Sequence, residues 1–234
     1  MKKNIQRLLL ALLILMLSAV YICGNILYRG YQENIAADNI QRLKPPVDTA
    51  ESLMDFEALH TQGPDIIAWL TVEGTVIDYP VLQGGDNAYY LRRDIKKQPN
   101  KNGALFLDYR VRADFSDFNN VIYGHHMRSG KMFQNLVKYK DRAFFDRHKT
   151  GYLYTPGRSW RLEIFAAAVT DQNSAFYRYA FLSPAEKDAH LHMLKSTALF
   201  YRDIGVTAED VLLTLSTCSY EFEDARTVVL ARLV

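Results

Sequence analysis

The chain of 234 residues is 49% hydrophobic and 23% charged, which excludes an intrinsically disordered chain and leaves room for one buried core plus a short extra segment. Lys and Arg number 28 against 26 Asp and Glu, and a net charge of +2 gives no electrostatic case for nucleic-acid binding. Two cysteines, Cys23 and Cys218, form neither a disulfide framework nor a metal-ligand cluster. In chain order, the first element is an apolar run. Lys2, Lys3 and Arg7 precede uncharged residues from Leu8 to Tyr28, and Arg29 follows. A helix crosses a bilayer with about 20 apolar residues, so the run is long enough to span. The basic residues ahead of it predict a cytoplasmic N-terminus, with Arg29 onward outside. A cleaved signal peptide is the rival, yet its apolar region is usually shorter. Neither Ser18-Ala19 nor Cys23-Gly24 makes a good small-x-small cleavage site. Residues 1–29 are therefore read as an uncleaved anchor, with Cys23 an apolar, lipid-facing residue.

Residues 30–50 read as a stalk. The stretch 31–44 is a polar helix or linker that Pro45-Pro46 ends. The remaining chain, 51–234, is the folded domain. Asp48-Thr-Ala-Glu51 resembles a helix start, with Leu53, Phe56 and Leu59 at helical spacing. From Ile66 short apolar runs rich in β-branched and aromatic residues recur between turn residues. They are 66–72, 76–82, 103–107, 120–123, 151–154, 160–169, 211–217 and 227–234. Eight such runs predict a mainly β barrel or sandwich rather than alternating βαβ units. Two helices interrupt them. One covers 132–145, broken near Lys140-Asp141. The other opens on Ser183-Pro184-Ala-Glu186, a capping box with Pro at the first helical position, and carries an apolar stripe of Leu191, Met193, Leu194 and Leu199.

Three residues could carry chemistry. In Thr214-Leu-Ser-Thr-Cys218, strand periodicity puts Leu213, Leu215 and Thr217 on one face. Thr214, Ser216 and Cys218 share the other, a polar face ending in a thiol. The plain alternative is a buried, inert cysteine, but the hydroxyl neighbours and a lone thiol outside the membrane argue for reactivity. His125, in Asn120-Val-Ile-Tyr-Gly-His-His126, stands just past a strand end, where an imidazole can serve a thiol as acid or base. An isolated pair of surface histidines is the bland reading. His60, His148, His190 and His192 are read as solvated, because His190-x-His192 lacks helical metal-ligand spacing. Arg226 opens the last strand. In a hairpin turning through 219–225 it stands across from Cys218, where a guanidinium can hold an oxyanion. A rim salt bridge to Glu221, Glu223 or Asp224 is its ordinary alternative.

Together these residues resemble the sortase family. Thr214-Leu-Ser-Thr-Cys218 is similar to the TLxTC signature, Arg226 to its downstream arginine, and Tyr123-Gly-His125 to the segment carrying the family's histidine. Asp78–Gln83, Asp86–Leu91, Gly103–Asp108, Gly124–Phe133 and Cys218–Glu221 resemble class B members. The likeness runs from about residue 50 to the end. It implies an eight-stranded β-barrel with N-terminal helices and a long helix between strands six and seven, preceded by one transmembrane helix. It also implies a cysteine transpeptidase of Gram-positive bacteria that needs no metal or cofactor, since one amide replaces another. Cys218 then corresponds to the nucleophile, His125 to the proton-transfer partner and Arg226 to the transition-state or substrate anchor. Ser216, Thr170, Ser174 and Tyr177 correspond to substrate-groove positions. His126 departs from relatives with a non-His residue there, and spacing after Gly124 selects His125. The implied partners are a C-terminal sorting signal of the Asn-Pro-x-Thr-x type, an amine of the cell-wall precursor or a pilin lysine, and the membrane. A secreted cysteine peptidase and a non-catalytic, membrane-anchored binding module remain the alternatives. An L,D-transpeptidase fits less well, because its arginine should follow the cysteine closely.

Overall fold

The computed structural model describes residues 2–45 and 54–234. These form two compact units, divided after Asn39. In the first, α1 (Lys2–Gln41) is one unbroken helix, and its residues from Leu9 to Tyr31 expose apolar side chains. It is the one helix among the described residues long and apolar enough to cross a membrane. The expected helix start at 48–51 lies outside the described residues. The described helix there, α2 (Phe56–Gln62), is capped by Asp55, whose carboxylate accepts from the Ala58 N–H at 3.0 Å.

The second unit is built on β1 (Ile66–Val72), β2 (Asp78–Gln83), β3 (Leu105–Leu107), β4 (Asn119–Tyr123), β5 (Thr150–Thr155), β6 (Arg158–Asp171), β7 (Phe200–Tyr201), β8 (Val211–Cys218) and β9 (Ala225–Leu233). The strands lie in the order β5-β1-β2-β3-β4-β8-β9-β6, and β6 pairs back onto β5. Eight strands thus close a barrel, which leaves no open edge. The two-residue β7 is added at Ala166 and Ala167 of β6 and was not visible as an apolar run. Two pairings, β2–β3 and β4–β8, are parallel; the others are antiparallel.

The two expected helices are present with different bounds. The first is a 3-10 segment, Phe133–Lys140, then α3 (Arg142–Arg147), with Asp141 as break and cap. The second, α4 (Pro184–Thr197), falls between the sixth and seventh barrel strands and begins at Ser183, whose hydroxyl accepts from the Glu186 N–H at 3.3 Å. The Glu186 carboxylate accepts from the Leu182 N–H, one residue earlier than a full capping box requires. Leu194 is the buried member of its stripe. It belongs to one core cluster with Val121, Leu212, Val228 and Leu230, while Leu199 lies past the helix and is exposed. The reading of His190 as solvated is corrected: it is 4% exposed, seated against Phe118 and Phe181. Helical phase puts it on the same buried side as Leu194, four residues on.

Ser183→Ala is expected to cost about 1 kcal/mol in urea unfolding, because it leaves a first-turn N–H without its acceptor. His190 sets a pH dependence. Burial, aided by the positive charge of Arg178, pushes its imidazole down to about 4. The unfolded chain, titrating near its ordinary value of about 6.5, binds more protons in between. Stability from this group is therefore present above pH ~6.5 and is lost as pH falls toward 4. The urea midpoint should drop over that window, and His190→Gln should flatten the drop; equal slopes in the two proteins would refute this.

Candidate active site

The site grows out of the ends of β4 and β8. Because the two strands run parallel, with Tyr123 opposite Ser216, both chains leave the barrel at one rim. Gly124 follows β4, and its N–H donates to the Ser216 carbonyl at 3.1 Å. The Thr217 hydroxyl donates to the Gly124 carbonyl at 2.8 Å. Only glycine fits here, since a Cβ would lie 2.4 Å from Leu105 Cδ2 and 2.7 Å from Phe133 Cδ2. The next residue, His125, is pinned at both main-chain and side-chain ends. Its carbonyl accepts from the Phe133 N–H at 3.0 Å, and its Nε2–H donates to the Leu91 carbonyl at 2.6 Å. A carbonyl can only accept, so the proton is on Nε2 and a neutral ring keeps Nδ1 as acceptor.

The hairpin expected from 219–225 is present. Cys218 is registered against Arg226 across β8 and β9, and Arg226 against Thr170 across β9 and β6. On the expected polar face of β8, Thr214 and Ser216 are buried. That face is covered by the layer containing α4 and Tyr177, and its hydroxyls are matched within it. Thr214 donates to Asn119 Oδ1 at 2.8 Å, and Ser216 Oγ and the Tyr177 hydroxyl are 2.9 Å apart. Burial pushes the Tyr177 hydroxyl up to about 12, against the pull of that hydrogen bond and of the Arg226 charge, so it stays neutral.

Cys218, His125, Arg226, Ser216 and Tyr177 line one cleft of about 350 Å³. Ser174 lines an adjoining cavity of about 420 Å³ and caps the 3-10 turn Ala175–Tyr177. Thr170 stands beside Arg226 in the sheet but is not part of either wall. Arg226 makes no rim salt bridge among the described residues; its Nη1 donates to the Ala225 carbonyl at 3.0 Å. His126 is turned away from the cleft. It lines a separate 240 Å³ pocket with Tyr220 and Glu221, and its ring packs against Tyr220. Burial lowers its pKa, and the nearby Cys218 main chain opposes the shift. A larger cavity, about 680 Å³, opens beside Val211 at the other end of β8 and holds no cysteine. Chemistry, not volume, selects the smaller cleft.

Sequence reasoning had missed Asn87, Arg110 and Gln172, which also line this cleft. Asn87 and Arg110 converge on Asp108, a fully buried carboxylate that also accepts from the Tyr123 hydroxyl. Burial alone would raise the Asp108 carboxyl, but the hydrogen bonds and charge of Arg110 hold it below the usual range. Asp86–Leu91 and Gly103–Asp108, two of the class B-like stretches, contain Asn87 and Asp108; that was their one available signal.

A Sortase domain model matches residues 70–234. The chain belongs to the sortase family, in its class B branch. Sortase B of Listeria monocytogenes is 33% identical over 207 residues, spanning 87% of this chain and 80% of that protein. The crystal structure of Clostridium perfringens sortase B superposes with a TM-score of 0.73 at 34% identity, covering 77% of this chain and 100% of that one. A crystal structure of a sortase B complexed with triglycine matches at 31% identity and a TM-score of 0.72, over 76% of this sortase and 85% of that chain. This sortase is accordingly a cysteine transpeptidase with a role in cell-wall sorting.

Gly124→Ala is expected to cost about 1–3 kcal/mol, as overpacked sites do, and to displace His125. Urea unfolding together with peptide turnover checks it; unchanged values in both would show that Leu105 and Phe133 yield freely.

Proposed function

We propose that this sortase cleaves a C-terminal sorting signal after threonine and transfers the acyl group to an amine, with Cys218, His125 and Arg226 as its chemical centre. The supporting observation is that Cys218 and Arg226 stand opposite each other on neighbouring strands and share one cleft with His125. Cys218 passes its thiol proton to Nδ1 of His125 as its Sγ attacks the threonine carbonyl carbon. Arg226 holds the oxyanion that forms. The C–N bond then breaks as His125 protonates the departing amine, leaving a thioester on Cys218. In the resting geometry Nε2–H is committed to Leu91, so Nδ1 is the nitrogen that carries this proton in the imidazolium. The incoming amine loses its proton to His125 as it attacks, and the cysteine is expelled. Ser216, Tyr177, Ser174 and Thr170 are proposed to flank the bound peptide.

The signal is expected to be of the Asn-Pro-x-Thr-x type, following the class B resemblance. The acceptor is an amine of the cell-wall precursor or a pilin lysine. The relative bound to triglycine supports an amine-bearing acceptor site. Residues 1–29 anchor the chain in the membrane of a Gram-positive cell with the N-terminus cytoplasmic, 30–50 form the stalk, and 51–234 act outside. The apolar exposed surface of α1 supports the anchor.

The test uses the full chain in detergent with a fluorescent sorting peptide and an added amine. Cys218→Ala should abolish cleavage and the thioacyl adduct seen by mass spectrometry. His125→Ala should be severely impaired, and Arg226→Lys should fall on the order of 10²–10³, because a point charge does not reproduce the planar donors. His126→Ala should keep most turnover. Product formed with water but never with amine would favour a peptidase. Peptide binding without cleavage by the native chain, unchanged in Cys218→Ala, would leave only a binding module.

A further inference from the structure

The 350 and 420 Å³ cavities are one groove, because Arg110, Tyr123, Gln172 and Tyr177 line both. The leaving amine must lie at His125, so the acyl half of a bound peptide extends the other way, past Arg110 toward residues 173–180. Arg110 is held there rigidly. Its Nε and Nη2 donate to the two oxygens of Asp108 at 2.8 and 2.6 Å, and the guanidinium lies 4.2 Å from the centre of the Tyr179 ring. Its hydrogen bonds to Asp108 use Nε and Nη2 and leave Nη1 to donate elsewhere, and Arg110 lines both parts of the groove. Arg178, the other arginine of this half, is paired with Glu186. Both cations are thus neutralised, whereas Arg226 at the Cys218 end is not.

We propose that Arg110 is a specificity-determining residue that donates through Nη1 to an uncharged carbonyl oxygen on the acyl side of the peptide, and that Asp108, by cancelling its charge, makes this subsite select amides over carboxylates. The proposal rests on the reading of the cleft as the sorting-signal groove. A carboxylate brought here loses hydration and meets Asp108 as well as Arg110, so attraction and repulsion nearly cancel while the desolvation cost stays. An amide oxygen gains a charge-assisted hydrogen bond at little such cost.

Two fluorescent peptides test it on the full chain in detergent, one led by Asn (Asn-Pro-x-Thr-x) and one with that Asn replaced by Asp. The native protein should prefer the amide peptide about tenfold in kcat/KM. Arg110→Met should raise KM for the amide peptide about tenfold or more, the range expected for a lost hydrogen bond to a charged donor, with kcat within about twofold. Arg110→Lys, which keeps the charge beside Asp108 but not the planar fork, should also raise KM. Asp108→Asn should shift the preference toward the carboxylate peptide, since Arg110 is then uncompensated. Alkylation of Cys218 by iodoacetamide should proceed at the native rate in all three variants. An unchanged KM in Arg110→Met, or an unchanged amide-to-carboxylate ratio in Asp108→Asn, would overturn the proposal. Slowed alkylation in every variant would also overturn it, making the pair a scaffold of the site. If the native chain forms no thioacyl adduct with either peptide, the sorting-signal reading itself falls; native turnover with an indifferent Arg110→Met sinks this proposal alone.

Discussion

Everything at the site follows from the parallel pairing of β4 with β8. An antiparallel partner would send the end of β4 to the opposite pole of the barrel, a full strand length from the thiol. Running parallel, the two strands deliver Gly124-His125 and Thr217-Cys218 to one rim, and the β8–β9 hairpin returns Arg226 to the same level. β6 adds Thr170 to that row and then leads into the turn that carries Tyr177. A parallel pair needs a long crossover. Here the chain between β4 and β8 contains α3, β5, β6, α4 and β7, so two of the eight barrel strands lie within the crossover that makes this one adjacency.

Buried amides and a buried carboxylate hold the rim in register. Asn119 donates to the carbonyls of Phe176 and Arg178 at 3.1 and 2.8 Å and accepts from Thr214, so β4, β8 and the Tyr177 turn are tied through one side chain. Asn120 donates to Phe115, Asp117 and Leu212, fixing the loop before β4. Asp108 performs the same service on the opposite wall, joining Asn87, Arg110 and Tyr123. In a low-dielectric interior such hydrogen-bond networks are directional in a way apolar packing is not, which suits a cleft whose groups must meet a peptide in one geometry.

His126 illustrates how adjacent residues acquire unrelated surroundings. At a strand end successive side chains turn to opposite sides. His125 therefore enters the cleft with Cys218, while His126 packs behind, against Tyr220 and the Cys218 main chain. The 240 Å³ pocket there is closed by the Lys140–Glu221 ion pair, which links the 3-10 segment after His126 to the loop after Cys218.

Much of this was legible in one dimension. Short apolar runs rich in β-branched and aromatic residues marked eight segments within a few residues of the barrel strands, because turn residues punctuate buried strands. Pro184 and Ser183 marked α4, because caps are local hydrogen-bonding chemistry. The long apolar helix α1 was legible from its uncharged run, and Cys218, Arg226 and His125 stood out as groups at strand ends. What stayed hidden depended on layers. β8 is covered on both sides, and alternation alone does not tell a buried hydroxyl face from an open one. His190 looked solvated until α4 turned it onto Phe118 and Phe181. The two-residue β7 carries too few residues to show a period. Asp108 and Arg110 lie close to Tyr123 along the chain but far from Cys218, and no spacing rule connects them to the thiol. The sequence by itself determined which segments extend, which coil and which groups can react, since those follow from neighbours along the chain. Only the tertiary structure decided which reactive groups share a cleft and which carry an uncompensated charge, because burial and ion pairing are set by strands distant in sequence.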